Sequence, residues 1–160
     1  VLPLKLTLLT STDRLRGTIA RQIAQDLAQL DVTLEVVPLE LGTMIARLGT
    51  GDFELATLQM PEVTEPNVLR VFLHSSSIPP AGANRGRIYD EELDALLDAG
   101  AEERDPAARR AIYASLERLV RDRALLIPLW HEDLVTVASA RAAAFRPSAE
   151  GRWLDLATLR

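Results

Sequence analysis

The sequence predicts an α/β domain built on a mixed, mainly parallel sheet flanked by helices. Three observations carry this: an opening segment in which apolar residues alternate, a following stretch with apolar residues at helical spacing, and a return to strand and helix character in the same order before residue 60. Strand, helix, strand, helix, strand with short connections is the pattern of right-handed crossovers that build a parallel sheet.

Each element has its own warrant. Leu2, Leu4, Leu6 and Leu8 alternate on one face, as a strand requires, and the segment meets the capping cluster Thr10-Ser11-Thr12-Asp13. Leu15, Ile19, Ile23, Leu27 and Leu30 recur at helical spacing with Ala20, Ala24 and Ala28 beside them, which predicts an amphipathic helix over 14–30. Val32 to Leu39 is rich in β-branched residues and reads as the second strand. Leu41 to Leu48 is a short helix stopped by Gly49 and Gly51, and Phe53 to Gln59 is the third strand expected. A brief helix is expected over Asn67 to Leu73, then a polar loop with Gly and Pro from Ser75 to Gly86. Asp90 to Ala99 resumes helix. Asp105 supplies an N-cap and Pro106 the first helical position of a long helix ending near Ala124. Leu125 to Leu129 and Leu134 to Ala138 are further strand candidates, and Ala140 to Ala144 a short frayed helix.

With 160 residues the chain fits one domain, 1–160, and at this size folding buries roughly 70% of the unfolded surface, enough for a core without staples. The absence of cysteine excludes thiolate metal sites and cysteine nucleophiles and leaves the compartment open. Twenty-three acidic against 18 basic residues, net −5, argue against a phosphate-binding surface and hence against nucleic acid as partner. The longest apolar run, Ala124 to Trp130, falls far below the roughly 18 residues of a membrane span, so direct membrane insertion is not expected. The opening Val1-Leu2-Pro3-Leu4-Lys5-Leu6 lacks a charged n-region and a small-residue cleavage site; a mature exported protein and an excised internal domain both fit.

Enzymatic constellations are missing: no Gly-x-Ser-x-Gly elbow, no Gly-rich phosphate loop, no His-Glu-x-x-His. No catalytic residue, cofactor or metal is therefore expected. With only His74 and His131, far apart in sequence, an imidazole-rich metal site cannot be assembled, and His131-Glu132-Asp133 reads as a polar turn. In parallel sheets ligands gather at the carboxyl ends of strands, which directs attention to Thr10 to Arg14, Glu40 to Thr43, and Gln59 to Asn67. In the last of these, Glu62 and Glu65 can neutralise an ammonium group, while Glu65-Pro66-Asn67 can equally open a short helix. Thr10, Ser11 and the helix N-terminus that follows can hold an anion. Asn84, Arg85 and Arg87 form a further set in the long loop, and Trp130 either lines a pocket or packs in the core.

The second half also carries an ordered set of motifs: Gly82-x-Asn84, Tyr89-x4-Asp94-x-Leu96, Asp105-Pro106, Arg110-x2-Tyr113 and Ile127-Pro128-Leu129-Trp130. In this order and at these intervals they resemble the C-terminal lobe of family 5 extracellular solute-binding proteins, the peptide and nickel receptors of ABC importers. The resemblance implies one lobe of the type II periplasmic-binding architecture, with the N-terminal lobe of the same protein as the opposite wall of the cleft and the importer's membrane subunits as partners. It also implies a small peptide or similar solute and a periplasmic or extracellular location, a lipid anchor being one option for the full-length protein. Placing Glu65-Pro66 on the family's Asp-Pro pair puts Glu62 at the carboxylate that grips the peptide amine. Gln59 then takes about the place of the usual Trp, removing a stacking platform. Arg14 is the nearest counterpart of an Arg that receives the ligand carboxylate. The resemblance further implies that Tyr89, Asp94, Arg110 and Tyr113 tie the two late helices together, and that Ile127 to Trp130 return the chain toward the sheet. The alternative function is a ligand-sensing domain of a transcription regulator.

Overall fold

The computed structural model describes residues 4–60, 65–131, 135–142 and 145. Strand β1 (Leu4–Ser11) lies between β2 (Val32–Leu39) and the two-residue β3 (Leu55–Ala56), all parallel, in the order β2-β1-β3. Two helices provide the crossovers, α1 (Arg14–Ala28) and α2 (Leu41–Thr50). The alternation of β1 explains their placement. Leu6 and Leu8 face α1 and join Ala20, Ile23, Ala24, Leu27 and Leu34, whereas Leu9 on the other face joins Met44 and Leu48 of α2 with Phe53. The sheet is thus covered on both sides, as parallel sheets require. Pro38, which has no N–H for a ladder, sits on the outer strand β2, where the unpaired edge tolerates it.

Both crossover helices are capped by acids. The Asp13 carboxylate accepts from the Arg16 N–H, and Glu40 accepts from the N–H groups of Gly42 and Thr43. The ends of the expected α1 stripe do not bury. Leu15 (54% exposed) lies in the first turn and Leu30 (72%) beyond the last helical residue, so neither reaches the sheet. The third strand is shorter than its Phe53 to Gln59 pattern, because only Leu8 and Leu9 of β1 offer it a register; the Thr57 N–H donating to the Leu9 carbonyl adds one rung more.

The remaining helices form a second packing unit. A 3-10 turn (Pro66–Val68) leads into α3 (Leu69–Leu73), followed by α4 (Glu91–Glu102) and α5 (Pro106–Asp122). Asp90 and Asp105 cap α4 and α5 through their side chains, with Pro106 at the start of α5. Leu73, Leu93, Leu97, Tyr113, Leu116 and Leu119 make the core of this unit. Gly100 is required by its neighbour: a Cβ there would stand 2.9 Å from the Tyr113 ring.

Several expectations need correction. Neither Leu125 to Leu129 nor the described part of Leu134 to Ala138 forms a strand. Ile127, Val135 and Val137 are 73, 82 and 94% exposed, extended segments to which no described strand offers an edge. Ile127 to Trp130 does not return to the sheet, and among the described residues the sheet is wholly parallel. Of the residues expected to tie the late helices, only Tyr113 is buried between them. Tyr89 is 79% exposed, Arg110 is exposed, and Asp94 instead accepts from the Ser75 N–H at 2.9 Å and from its hydroxyl. No described helix is long and apolar enough to cross a membrane.

Gly100→Ala should overpack the α4–α5 contact and lower unfolding free energy by about 1–3 kcal/mol, measured by urea denaturation. A second expectation concerns pH. The Arg70 guanidinium beside Asp98, with His74 as a smaller cause, holds the Asp98 carboxyl below the ordinary value, and Arg123 does the same for Asp90. A depressed folded value contributes stability that is present above the unfolded carboxylate value, about 3.9, and is lost as pH falls through the folded one. The urea midpoint should therefore drop on acidification below that value, and less so in Asp98→Asn.

Candidate functional site

At the carboxyl ends of β1 and β3 the apolar interior gives way to a small polar cluster. Thr10 is fully buried and Ser11 is 8% exposed. Buried hydroxyls need partners, and they find them locally. The Thr57 hydroxyl donates to Thr10 Oγ1 at 2.8 Å, linking the two strand ends. Arg16, in the first turn of α1, folds back over the end of β1 and donates to Ser11 Oγ at 3.1 Å with one guanidinium nitrogen and to Gln59 Oε1 with the other. Ser11, Thr57, Gln59 and Arg16 thus form one hydrogen-bonded rim at the edge of the sheet where parallel topology places ligands.

The structure brings Ser11 and Gln59 together as the strand-end rule predicts. It substitutes Arg16 for Arg14 as the arginine of the rim: Arg14, at the first helical position, is exposed, whereas Arg16 is half-buried and engaged. The signal available in the sequence is the spacing. A first-turn side chain at the third helical position can reach back to the capping segment, here five residues earlier at Ser11.

Glu62 lies outside the described residues, as do Glu132 and Asp133. Glu65 is described and doubly occupied. One of its oxygens accepts from the Asn67 N–H at 2.8 Å, which opens the 3-10 turn, and the other pairs with Arg109 of α5. Arg109 also donates to the Gly100 carbonyl at 2.9 Å and lies over the Tyr113 ring, 5.1 Å from its centroid. Its bond to Glu65 raises the Arg109 pKa further. Glu65 therefore fastens the segment after β3 to α5, the helix-opening role among its two expected ones.

Asn84, expected in a ligand-contacting loop, is fully buried and structural. Its amide nitrogen donates to the carbonyls of Leu73, His74 and Ile88 at 3.2, 3.0 and 2.8 Å, and its oxygen accepts from the Ile88 N–H at 3.0 Å. Gly82 of the same motif closes against Ser77, where an added Cβ would stand 2.7 Å from the carbonyl oxygen. Arg87 turns toward the sheet half and donates to the Gly49 carbonyl at 3.0 Å, at the end of α2. Trp130 is 44% exposed and belongs to none of the three buried clusters, so the core-packing expectation fails.

No group of metal-ligating side chains occurs among the described residues. Two surface grooves of about 590 and 370 Å³ run along the helical unit, the first between α4 and α5, the second beside Pro66, Arg109 and Tyr113. Neither shares a residue with the strand-end rim.

No protein-family profile matches the chain. It is 26% identical over 125 residues to the di/tripeptide-binding protein 4 of Pseudomonas aeruginosa (strain UCBPP-PA14), covering 74% of this chain and 22% of that protein. Among solved structures it is similar to the Escherichia coli murein tripeptide binding protein MppA, with a TM-score of 0.69 and 27% identity over 76% of this chain and 24% of that one. The periplasmic binding protein DppA of Helicobacter pylori, solved with the peptide STSA, shares the fold at a TM-score of 0.66 and 23% identity, over 76% of this chain and 24% of its own. The chain spans about a quarter of the length of the relatives it matches.

Asn84→Ala should lower stability by about 2–4 kcal/mol by leaving buried backbone groups unpaired. Calorimetric unfolding measures this, and a change under about 0.5 kcal/mol, the range of an ordinary surface site, would remove the residue from the framework.

Proposed function

We propose that this chain, whose sequence and fold resemble the C-terminal lobe of family 5 extracellular solute-binding proteins, forms one wall of the solute cleft in the receptor of an ABC importer. The solute is of the peptide type. One observation carries the reading: Ser11, Arg16 and Gln59 gather at the carboxyl ends of parallel strands, on a lobe similar to proteins named for binding di- and tripeptides.

The mechanism follows from the geometry of an open rim. A solute resting on one wall makes half of its contacts; a second lobe closing over it supplies the rest, and the solute favours closure by its differential affinity for the closed state. The second wall is the N-terminal lobe of the same protein, and the closed receptor meets the importer's membrane subunits. A periplasmic location accords with the named periplasmic relatives. Glu62, three residues beyond Gln59, receives the solute's ammonium group, because a carboxylate partly shielded from water holds a cation with both charge and direction. The named relatives are binding proteins rather than enzymes, and no observation favours the regulatory alternative.

Titration calorimetry tests this with Ala-Ala-Ala as probe. The full-length polypeptide should bind it, and the isolated 160-residue chain should bind at least about 100-fold more weakly, since contacts from only one wall must offset the loss of translational freedom. Glu62→Gln in the full-length protein should weaken binding by about 10-fold or more. Equal affinity of fragment and full-length protein would contradict the two-wall mechanism, and an unchanged affinity in the Gln variant would remove Glu62 from the site.

A further inference from the structure

We infer that Arg16, held in place by Ser11 and Gln59, is a specificity-determining residue of this wall and selects solutes that present a carboxylate to it. This deepens the proposed function and rests on it.

The argument begins with what the guanidinium touches. Both of its side-chain acceptors, Ser11 Oγ and Gln59 Oε1, are neutral, and among the described residues no carboxylate lies within ion-pair distance of Arg16. The described acids nearest in sequence to the strand ends are engaged with backbone. Asp13 and Glu40 cap α1 and α2, and Glu65 caps the 3-10 turn and pairs with Arg109. An Arg keeps its charge at any physiological pH, so the rim holds a positive group oriented by two hydrogen bonds and uncompensated by a described side chain. Two bonds leave roughly three of its five N–H donors for another acceptor.

A carboxylate is the acceptor that matches such a group. It can take two parallel charge-assisted bonds from the planar fork, and the positive end of α1, from whose first turn Arg16 springs, favours the same sign. The two existing bonds restrict the guanidinium before a solute arrives, so less side-chain freedom is lost on binding.

Gln59 then has a defined chemical task. An indole at that place, as in the family pattern, carries only an N–H donor and could not accept from Arg16; an amide oxygen can. Gln59 is a positioning residue, and exchanging a stacking surface for an anchored cation moves the rim's preference from aromatic or apolar groups toward acids. The carboxylate can come from an acidic side chain or from the end of the peptide, and the two sources are separable.

Four tripeptides serve as probes of the full-length polypeptide: Ala-Glu-Ala, Ala-Gln-Ala, Ala-Ala-Ala and Ala-Ala-Ala amide, with thermal unfolding recorded for every variant. The wild type should prefer the acid over its neutral analogue by about 10-fold or more in at least one pair. Arg16→Gln should abolish that preference while changing affinity for the neutral analogue by less than about 3-fold, and Arg16→Lys should restore part of it. Gln59→Leu should reduce it to an intermediate ratio. Loss in the Glu/Gln pair assigns the side chain as the source, and loss in the acid/amide pair assigns the terminus. An equal drop for all four peptides with lowered thermal stability would make Arg16 a structural tie, and unchanged discrimination in Arg16→Gln would likewise overturn the inference while leaving the solute-binding reading intact. Failure of the wild type to bind any of the four would overturn the solute-binding reading itself.

Discussion

The placement of β1 between two parallel neighbours governs the rest of the molecule. Parallel strands cannot be joined by tight turns, so α1 and α2 must cross the sheet, and the alternation of Leu8 and Leu9 places them on opposite faces. The same constraint aligns the carboxyl ends of all three strands along one edge. There the paired strands run out while the chain is still buried, and Thr10 and Ser11 leave hydroxyls that must be satisfied within the protein. Thr57, Gln59 and Arg16 answer that requirement. The polar rim is therefore a consequence of the topology, available for recognition because topology put it there.

Beyond the sheet, α3, α4 and α5 keep a core of their own and are joined to the strand half by specific polar ties. Arg87 reaches from the long loop to the end of α2, and Glu65 joins the segment after β3 to Arg109 on α5. Gln59 and Glu65, on either side of the acidic segment that follows β3, are each held by an arginine from a different helix. This gives the helical unit a role in presenting the rim, though its residues contribute no group to the strand-end cluster described above.

The legible part of the sequence was the part in which a residue's environment repeats along the chain. Alternation and helical spacing located β1, α1, β2 and α2, and the Asp105-Pro106 start of α5 reads directly from capping chemistry. What escaped depended on a partner. Phe53 to Gln59 and Leu125 to Leu129 have the composition of strands, but a strand exists only where another offers an edge, and local pattern does not say whether one does. Asn84 looked like a loop residue free to meet a ligand. Its environment is set by the carbonyls of Leu73 and His74, brought round by the turn of the loop. Arg14 and Arg16 were equally visible in the sequence; only the direction in which each leaves α1 separates an exposed arginine from the one that closes the rim.

Hydrogen–deuterium exchange of the full-length polypeptide, with and without a saturating peptide, tests the central claim most directly, because it reports where a solute settles. The account predicts that added protection from this chain falls on 10–16 and 57–65, with α4 and α5 unchanged along their outer groove. Protection confined to 91–122, or bound peptide with no change at the strand ends, would contradict it.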